Sequence, residues 1–264
     1  MGMDVASASK ALPAAIEFHH VCFATQQGRL LLDNISLSLE PGTTTAILGR
    51  SGSGKTTLLR SVNRMIEPSS GDVYVDGKSV READVIALRR GIGYVIQETG
   101  LFPHFTVERN VGLVLEVEGR GRVERLRRSH ELLTAVGLDP ASFAHRSPHQ
   151  LSGGQRQRVG LARALAAEPK ILLMDEPFGA LDPLTRAEMQ DMLRDLMDRL
   201  GKTVLLVTHD LDEALHLAHR IVLLEGGRLI ANLEPAEFLA SSQPEITAYA
   251  QAFHRGERRR GGHA

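Results

Sequence analysis

The eight residues at positions 49–56, GRSGSGKT, constrain the fold more than any other part of the sequence. They fit the pattern G-x-x-x-x-G-K-[ST] at every fixed position, and they separate an apolar run at 44–48 from a helical pattern that includes Leu58, Leu59 and Val62. In such a strand–loop–helix unit, backbone N–H groups and the helix N-terminus face an anion. The sequence therefore predicts a phosphate-binding loop in an α/β core.

Two side chains of this loop have distinct predicted roles in a nucleoside triphosphate site. Lys55 reaches the terminal phosphates and contributes to catalysis, and the Thr56 hydroxyl is a ligand for Mg²⁺. The predicted nucleotide-binding residues of the loop are Gly49, Arg50, Ser51, Gly52, Ser53, Gly54, Lys55, Thr56 and Thr57.

An acidic pair follows a second apolar run, at residues 171–174. In P-loop proteins a magnesium partner stands at the end of another buried strand, which predicts Asp175 as a metal ligand. Glu176 is one residue further on and can turn towards the attacking water, so we expect it to be the general base.

The remaining patterns indicate the architecture. Apolar strands separated by helical stretches predict a parallel sheet, whereas Leu37 and Leu39 alternate with serines and predict a half-buried antiparallel edge. Residues 106–166 show no strand pattern, and Val123, Leu126, Leu132, Leu133 and Val136 fall near helical spacing. We therefore expect an α/β fold with a P-loop (RecA-like) core, a mixed sheet, an antiparallel β edge and an inserted helical subdomain. Strands are predicted at 44–48, 73–75, 92–96, 171–174, 203–207 and 221–224.

A long amphipathic helix is predicted after Asp182 and Pro183, which are typical of an N-cap and a first turn. Its predicted apolar face consists of Met189, Met192, Leu193, Leu196, Met197 and Leu200. The predicted division of the chain is a flexible leader at 1–15, one domain at 16–254 with a core at 16–97 and 167–254 and a helical subdomain at 98–166, and a basic tail at 255–264.

Composition excludes several classes of protein. The net charge of −1 provides no overall basic field for nucleic acid, and Cys22 is the single cysteine, so neither an internal disulfide nor a cysteine-based metal cluster can form. No apolar run reaches the roughly 18 residues of a membrane span. We therefore expect any work at a membrane to depend on a partner.

The segment LSGGQ at 151–155 narrows the function. It matches the ABC signature motif at every letter, and its serine and glycines at the start of a helix provide a second anion site. Gln97 matches the Q-loop, residues 179–182 match the D-loop, and His209 matches the switch histidine, all in family order. The chain thus resembles the ABC ATPases from about residue 16 to 253.

The resemblance implies a Mg²⁺-dependent ATPase that works as a head-to-tail dimer, either of identical chains or with a paralogue. ATP then lies between Lys55 of one copy and the signature segment of the other. Gln97 is implied as a hinge, a metal ligand and a catalytic residue, and His209 as a contact to the γ-phosphate that orients the water. The further nucleotide-binding residues implied are Ser152, Gly153, Gly154, Gln155 and Asp182.

The chain departs from the family pattern at the position of the residue that stacks on adenine. An aromatic residue usually stacks on the base upstream of the P-loop, but the matching positions here are Thr25 and Gln26. Phe23 is close enough to substitute, although a core-facing position is an equal alternative. How adenine is held is therefore open.

The stretches at 93–104, 174–181 and 207–214 look like those of osmoprotectant importers for glycine betaine, choline or carnitine. The resemblance implies a peripheral protein on the cytoplasmic face of the cell membrane, with transmembrane permease subunits as direct partners and a solute-binding protein as an indirect one. The permease is expected at Phe102, Pro103, His104 and Phe105, with core packing of Phe102 and Phe105 as an equal alternative. The C-terminal regulatory domain of many such proteins is not expected, since the sequence ends soon after Phe253.

Other functions stay open at this point. They are an ABC ATPase of DNA repair or translation, a small-molecule kinase with a P-loop, and a nucleotide-binding module without catalysis. Among transporters, import of another solute and lipid transfer are also open. The intact set of Lys55, Asp175, Glu176 and His209 argues against a module without catalysis.

Overall fold

A computed structural model describes residues 14–97 and 99–261, with side chains through Phe253. The strands are β1 Ile16–Ala24, β2 Leu30–Leu39, β3 Thr44–Leu48, β4 Ser70–Val75, β5 Lys78–Ser79, β6 Ile92–Val95, β7 Ile171–Asp175, β8 Thr203–Val207, β9 Arg220–Glu225 and β10 Arg228–Leu233. The helices are α1 Lys55–Val62, α2 Val85–Arg90, α3 Val107–Val117, α4 Arg122–Ala135, α5 Pro140–Phe143, α6 Gly153–Leu165, α7 Pro183–Leu200, α8 Leu211–Leu217, α9 Pro235–Ala240 and α10 Pro244–Gly261, with a 3₁₀ turn at Pro148–Gln150.

The main sheet has six strands in the order β10-β9-β3-β8-β7-β6. All neighbouring pairs from β9 to β6 are parallel, and β10 is an antiparallel edge on β9. Every residue of β3, β7 and β8 is buried, which explains why these strands are apolar runs rather than alternating ones. The mixed α/β sheet predicted from the sequence is confirmed.

The early strands form a sheet of their own. It has four strands in the order β2-β1-β4-β5, and every pair in it is antiparallel. The early strands are therefore antiparallel, as predicted, but they form a second sheet, and the antiparallel edge strand of the main sheet is β10. An apolar layer that includes Phe18 and Ile35 packs against Leu58, Leu59 and the main-sheet residue Ile47, so the second sheet covers α1 and one face of the first sheet.

The stretch from 106 to 166 is helical wherever it is regular, as predicted. Its core residues, such as Val111 and Leu133, share one apolar cluster with Leu172 and Leu193, so these helices pack continuously with the α7 face of the main sheet. Residues 98–166 as a separate unit stay a prediction. Val123, which the periodicity placed inside, is 83% exposed because it lies in the first turn of α4.

The helix α7 begins as predicted, with Asp182 at the N-cap and Pro183 in the first turn. Leu196 is 1% exposed, but Leu200 is 40% exposed because it lies in the last turn, before the left-handed Gly201. Leu200 therefore does not belong to the buried face.

The predicted ends of the chain differ from the structure. Ala15 is buried, its N–H donates to Leu39 O and its carbonyl accepts from Asp76 N, so the fold begins before residue 16. Residues 1–13 of the predicted leader lie outside the described residues. Helix α10 continues to Gly261, so the tail boundary predicted after residue 254 falls inside a helix. In the described parts, no helix has the length and apolarity that crossing a membrane requires.

Candidate nucleotide site

The phosphate-binding loop joins β3 to α1, as the motif predicted. Gly54 caps α1 with φ +99° and Gly49 has φ +154°, conformations that favour glycine. A Cβ atom on Gly49 would lie 2.3 Å from Leu224 O and 2.5 Å from Ser53 Oγ. The loop therefore passes so close to β9 that only glycine fits at its first position.

Lys55 is buried and folds across its own loop. Its Nζ donates to Gly49 O at 2.8 Å and to Arg50 O at 3.1 Å. Burial lowers the pKa of Lys55, while the carboxylates of Glu176 and Asp175 oppose that shift. The ammonium group thus stands between a ring of backbone dipoles and two acidic side chains, where an anionic phosphate is a natural partner.

Asp175 lies at the end of β7 and faces α1. The Thr56 hydroxyl donates to Asp175 Oδ1 at 2.9 Å, and Arg60 Nη2 lies 3.5 Å from Asp175 Oδ2. The Tyr94 hydroxyl, from β6, is also 3.5 Å from Oδ2 and accepts from Arg60 Nε at 3.3 Å. The structure thus brings together Thr56 and Asp175, which the sequence placed 119 residues apart.

Sequence reasoning missed Arg60 and Tyr94. A signal existed for Arg60, because it follows Thr56 by four residues on the same helix and therefore shares its face. Tyr94 could not be found in this way, since its proximity depends on the pairing of β6 with β7.

Glu176 and His209 meet beyond the ends of two neighbouring strands. His209 Nδ1 lies 3.2 Å from Glu176 Oε2. Glu176 has φ +46°, a conformation that costs energy for a residue with a Cβ atom, and its N–H donates to Val207 O at 2.9 Å. The backbone therefore holds the Glu176 carboxylate out of the line of Asp175 and towards the His209 ring.

The loop that carries His209 is anchored on both sides. The Thr208 N–H donates to Ile47 O at 3.2 Å, and the Thr208 hydroxyl donates to Glu213 Oε2 at 2.5 Å. Asp210 caps α8, accepting from the N–H groups of Asp212 and Glu213.

The donor set fits Mg²⁺. The Thr56 hydroxyl and the Asp175 carboxylate are hard oxygen ligands held within hydrogen-bond distance of each other. Ser53 Oγ, in the same loop, is a buried polar atom without a hydrogen-bond partner among the described residues. Since buried hydroxyl groups normally have a partner, this atom fits a loop that binds an anion.

The signature segment lies at the start of α6. The Ser152 hydroxyl accepts from Gln155 N at 3.2 Å, and Gln155 Oε1 accepts from Ser152 N at 2.9 Å, which is a complete capping box. A Cβ atom on Gly154 would lie 2.4 Å from Thr185 Cγ2, so this glycine is required for contact with α7. Ser152 and Gly153 are exposed. Among the described residues, no hydrogen bond or ion pair joins this segment to the loop at 49–57.

Two other predicted residues, Gln97 and Asp182, have simpler surroundings. Gln97 is exposed, and its backbone carbonyl accepts from Gln157 Nε2 at 3.2 Å, which ties the loop to α6. Asp182 accepts from Thr185 N at 3.0 Å, as an N-cap should, and hydrogen bonding to Thr185 lowers the pKa of its carboxyl group.

In the region expected to hold adenine, Thr25 closes a turn, with its carbonyl accepting from Gly28 N at 2.8 Å. Phe23 is half-buried and packs against the core cluster beneath the antiparallel sheet. Part of its ring therefore stays exposed, and stacking of Phe23 on adenine stays a prediction.

Comparison with known proteins decides the family. Residues 32–179 match the family model described as ABC transporter. The chain belongs to the ABC transporter family.

Curated relatives show which ABC transporter proteins the chain resembles. This ABC protein is 45% identical over 226 residues to the osmoprotectant import ATP-binding protein OsmV of Salmonella typhimurium, covering 85% of this chain and 59% of that protein. It is 47% identical over 219 residues to the glycine betaine/carnitine/choline transport ATP-binding protein OpuCA of Bacillus subtilis, covering 83% and 57%. The chain therefore spans somewhat more than half the length of these relatives. It is also 43% identical to the glycine betaine uptake system ATP-binding protein YehX of Escherichia coli, covering 92% and 77%.

Solved structures agree with the fold. The dimeric cassette MJ0796, described as a bacterial ABC transporter cassette, superposes with a TM-score of 0.75 at 36% identity, covering 83% of this chain and 98% of that one. The cbiO1 protein of Clostridium perfringens, part of the transporter complex cbiONQ, superposes with a TM-score of 0.81 at 28% identity, covering 93% and 100%. The two-sheet core with inserted helices is thus the architecture of ABC ATPases.

Proposed function

We propose that the chain is the Mg²⁺-dependent, ATP-hydrolysing subunit of an ABC import system for quaternary-amine osmoprotectants such as glycine betaine or choline. One observation carries the hydrolytic part: the Glu176–His209 pair at 3.2 Å stands beside the Thr56–Asp175 pair at 2.9 Å and the buried Lys55. A base, a metal site and a phosphate-binding cation are thereby assembled at one sheet edge.

The proposed chemistry assigns one task to each group. Lys55 and the N–H groups of its loop bind the terminal phosphates. Thr56 and Asp175 hold Mg²⁺, with Gln97 as a further oxygen ligand, and the ion when bound neutralises charge on the phosphate oxygens. Glu176 accepts the proton of the attacking water, and His209 orients that water and contacts the γ-phosphate.

A dimer supplies the second half of the site. Ser152 and Gly153 are exposed at the N-terminus of α6, free to face a nucleotide on another copy. The Ser152 hydroxyl accepts from Gln155 N within the capping box and still has its own proton to donate, whereas the Gln155 side-chain oxygen accepts from Ser152 N. The cassette MJ0796, which resembles this chain, is itself dimeric. We therefore place ATP between the P-loop of one subunit and the signature segment of the other, with Asp182 near the interface.

The proposed permease surface is the loop before α3. Phe102 is 47% exposed and stacks on Phe105, with ring centroids 5.2 Å apart, and the guanidinium of Arg109 lies 3.9 Å above the Phe105 ring. Buried Asn110 fixes the loop, since its side chain accepts from Phe102 N at 2.8 Å and donates to three backbone carbonyls. An anchored loop that carries the exposed Phe102 and the half-buried Phe105 suits a helix of a membrane partner.

The names of the relatives and the stretch at 93–104 support the proposal that the transported solute is a quaternary-amine osmoprotectant. OsmV, OpuCA and YehX are named for osmoprotectants, glycine betaine, carnitine and choline. We accordingly place the protein at the cytoplasmic face of the membrane, where a permease receives cargo from a solute-binding protein.

The test combines ATP turnover with uptake. Glu176→Gln keeps the shape of the side chain and removes the base, so we expect at least about 100-fold slower hydrolysis with ATP binding retained. The matched control is Glu82→Gln, an exposed residue outside the site. Cells carrying Glu176→Gln should lose uptake of labelled glycine betaine and choline. Normal ATP turnover in Glu176→Gln would show that Glu176 is not the general base. Lost turnover with unchanged uptake would refute only the assignment of glycine betaine or choline as the cargo.

A further inference from the structure

The helix α10 packs against the edge of the sheet where the P-loop begins. Ile246, Tyr249, Ala250 and Phe253 follow i, i+3, i+4, i+7 spacing and form one apolar stripe. The stripe packs against a cluster that includes Leu48, the residue before the P-loop, and Leu211, the first residue of α8. This helix therefore contacts both the nucleotide loop and the element that follows His209.

A hydroxyl group on this stripe is directed at the catalytic loop. Tyr249 is half-buried, and its Oη donates to the backbone carbonyl of His209 at 3.1 Å. Burial raises the pKa of Tyr249 to about 12, and a hydrogen bond from the Gly49 backbone opposes that shift. The phenol consequently keeps its proton at neutral pH and stays a donor to His209.

The hydrogen bond from Tyr249 restrains a residue whose two neighbours along the chain are already restrained. Thr208 is held by Ile47, and Asp210 is held by its cap on α8. His209 lies between them, and its ring faces Glu176 at 3.2 Å. Because a backbone shift at His209 moves the ring with it, a restraint on this carbonyl sets the distance between the imidazole and the carboxylate.

We propose that Tyr249 is a positioning residue for ATP hydrolysis, which fixes the backbone of His209 so that its imidazole meets Glu176. The proposal rests on the proposed roles of Glu176 and His209. It makes α10, a helix without any nucleotide-binding motif, part of the machinery that sets turnover.

The experiment compares four variants of the full chain: Tyr249→Phe, His209→Ala, the double variant, and Tyr74→Phe as a control. Tyr249→Phe removes one oxygen and keeps the packed ring, so we expect kcat to fall about fivefold with KM for ATP and Tm close to wild type. Tyr74 is in β4, where its ring contacts His19, and its loss of oxygen should leave kcat unchanged.

The double variant decides whether Tyr249 acts through His209. If it does, Tyr249→Phe slows wild type but does not slow His209→Ala further. Equal effects in both backgrounds would overturn the proposal. Unchanged kcat in Tyr249→Phe beside strongly reduced kcat in His209→Ala would overturn it while leaving the proposed function intact. Normal turnover in His209→Ala would refute both the positioning role of Tyr249 and the proposed role of His209.

Discussion

Glu213 gives a sharp test of the electrostatics beneath the loop that carries His209. It is 4% exposed in the first turn of α8 and accepts from the Thr208 hydroxyl at 2.5 Å. Burial raises the pKa of Glu213 from 4.5 to about 7, the Thr208 hydrogen bond opposes the shift, and the nearby Asp210 carboxylate adds to it.

The sign of the pH effect follows from that shift. Because the folded protein holds this proton more tightly than the unfolded chain, the stabilising contribution of Glu213 is complete below pH 4.5 and is lost as pH rises through about 7. At 1.36 kcal/mol per pKa unit, the difference between about 7 and 4.5 amounts to about 3 kcal/mol.

Glu213→Gln mimics the protonated acid at every pH. We measure the free energy of unfolding of Glu213→Gln and of wild type in urea at pH 5 and pH 8.5. The difference, variant minus wild type, should increase by about 2.5 kcal/mol from the lower pH to the higher. Glu188→Gln, an exposed change on α7, should show no such trend. A difference between Glu213→Gln and wild type that is the same at both pH values would show that Glu213 is ionised in the fold.

Two further predictions concern packing. Gly49→Ala drives a Cβ atom to 2.3 Å from Leu224 O and should cost about 2–4 kcal/mol of stability, whereas Gly52→Ala has open space and should cost about 1 kcal/mol, both measured by urea unfolding. Leu196→Ala should cost about 2–5 kcal/mol, and Leu200→Ala, at the exposed end of the same helix, under about 1 kcal/mol; equal losses would contradict the observed face of α7.

Sequence predicted best where the required residues are neighbours along the chain. The P-loop, the Asp182 cap and the buried strands each follow from a short pattern, and the structure has them as predicted. Helix periodicity failed at Val123 and Leu200, since a terminal turn keeps the spacing of a core face after the core has ended. Strand pattern likewise could not show that the early strands pair with each other in a separate sheet.

The candidate site was predictable only in part, for the same reason. Motifs identified the groups that we propose to contact a nucleotide, because those chemistries demand particular residue types at fixed spacing. The residues that we propose to orient them, such as Tyr94 and Tyr249, carry no local signal. Each depends on an element that folds back from a distant position, and a hydroxyl group becomes informative only when its partner is known.

The candidate site and the register of the main sheet involve the same backbone segments. In β8, Val204 and Leu206 belong to one apolar cluster and Leu205 and Val207 to the other, so polarity alone distinguishes no register. Two backbone hydrogen bonds continue the parallel ladders past the strand ends: Glu176 N–H to Val207 O, and Thr208 N–H to Ile47 O. The loops that carry Glu176 and His209 are therefore held in line with the strands, so the relative position of the two side chains depends on the register of the sheet.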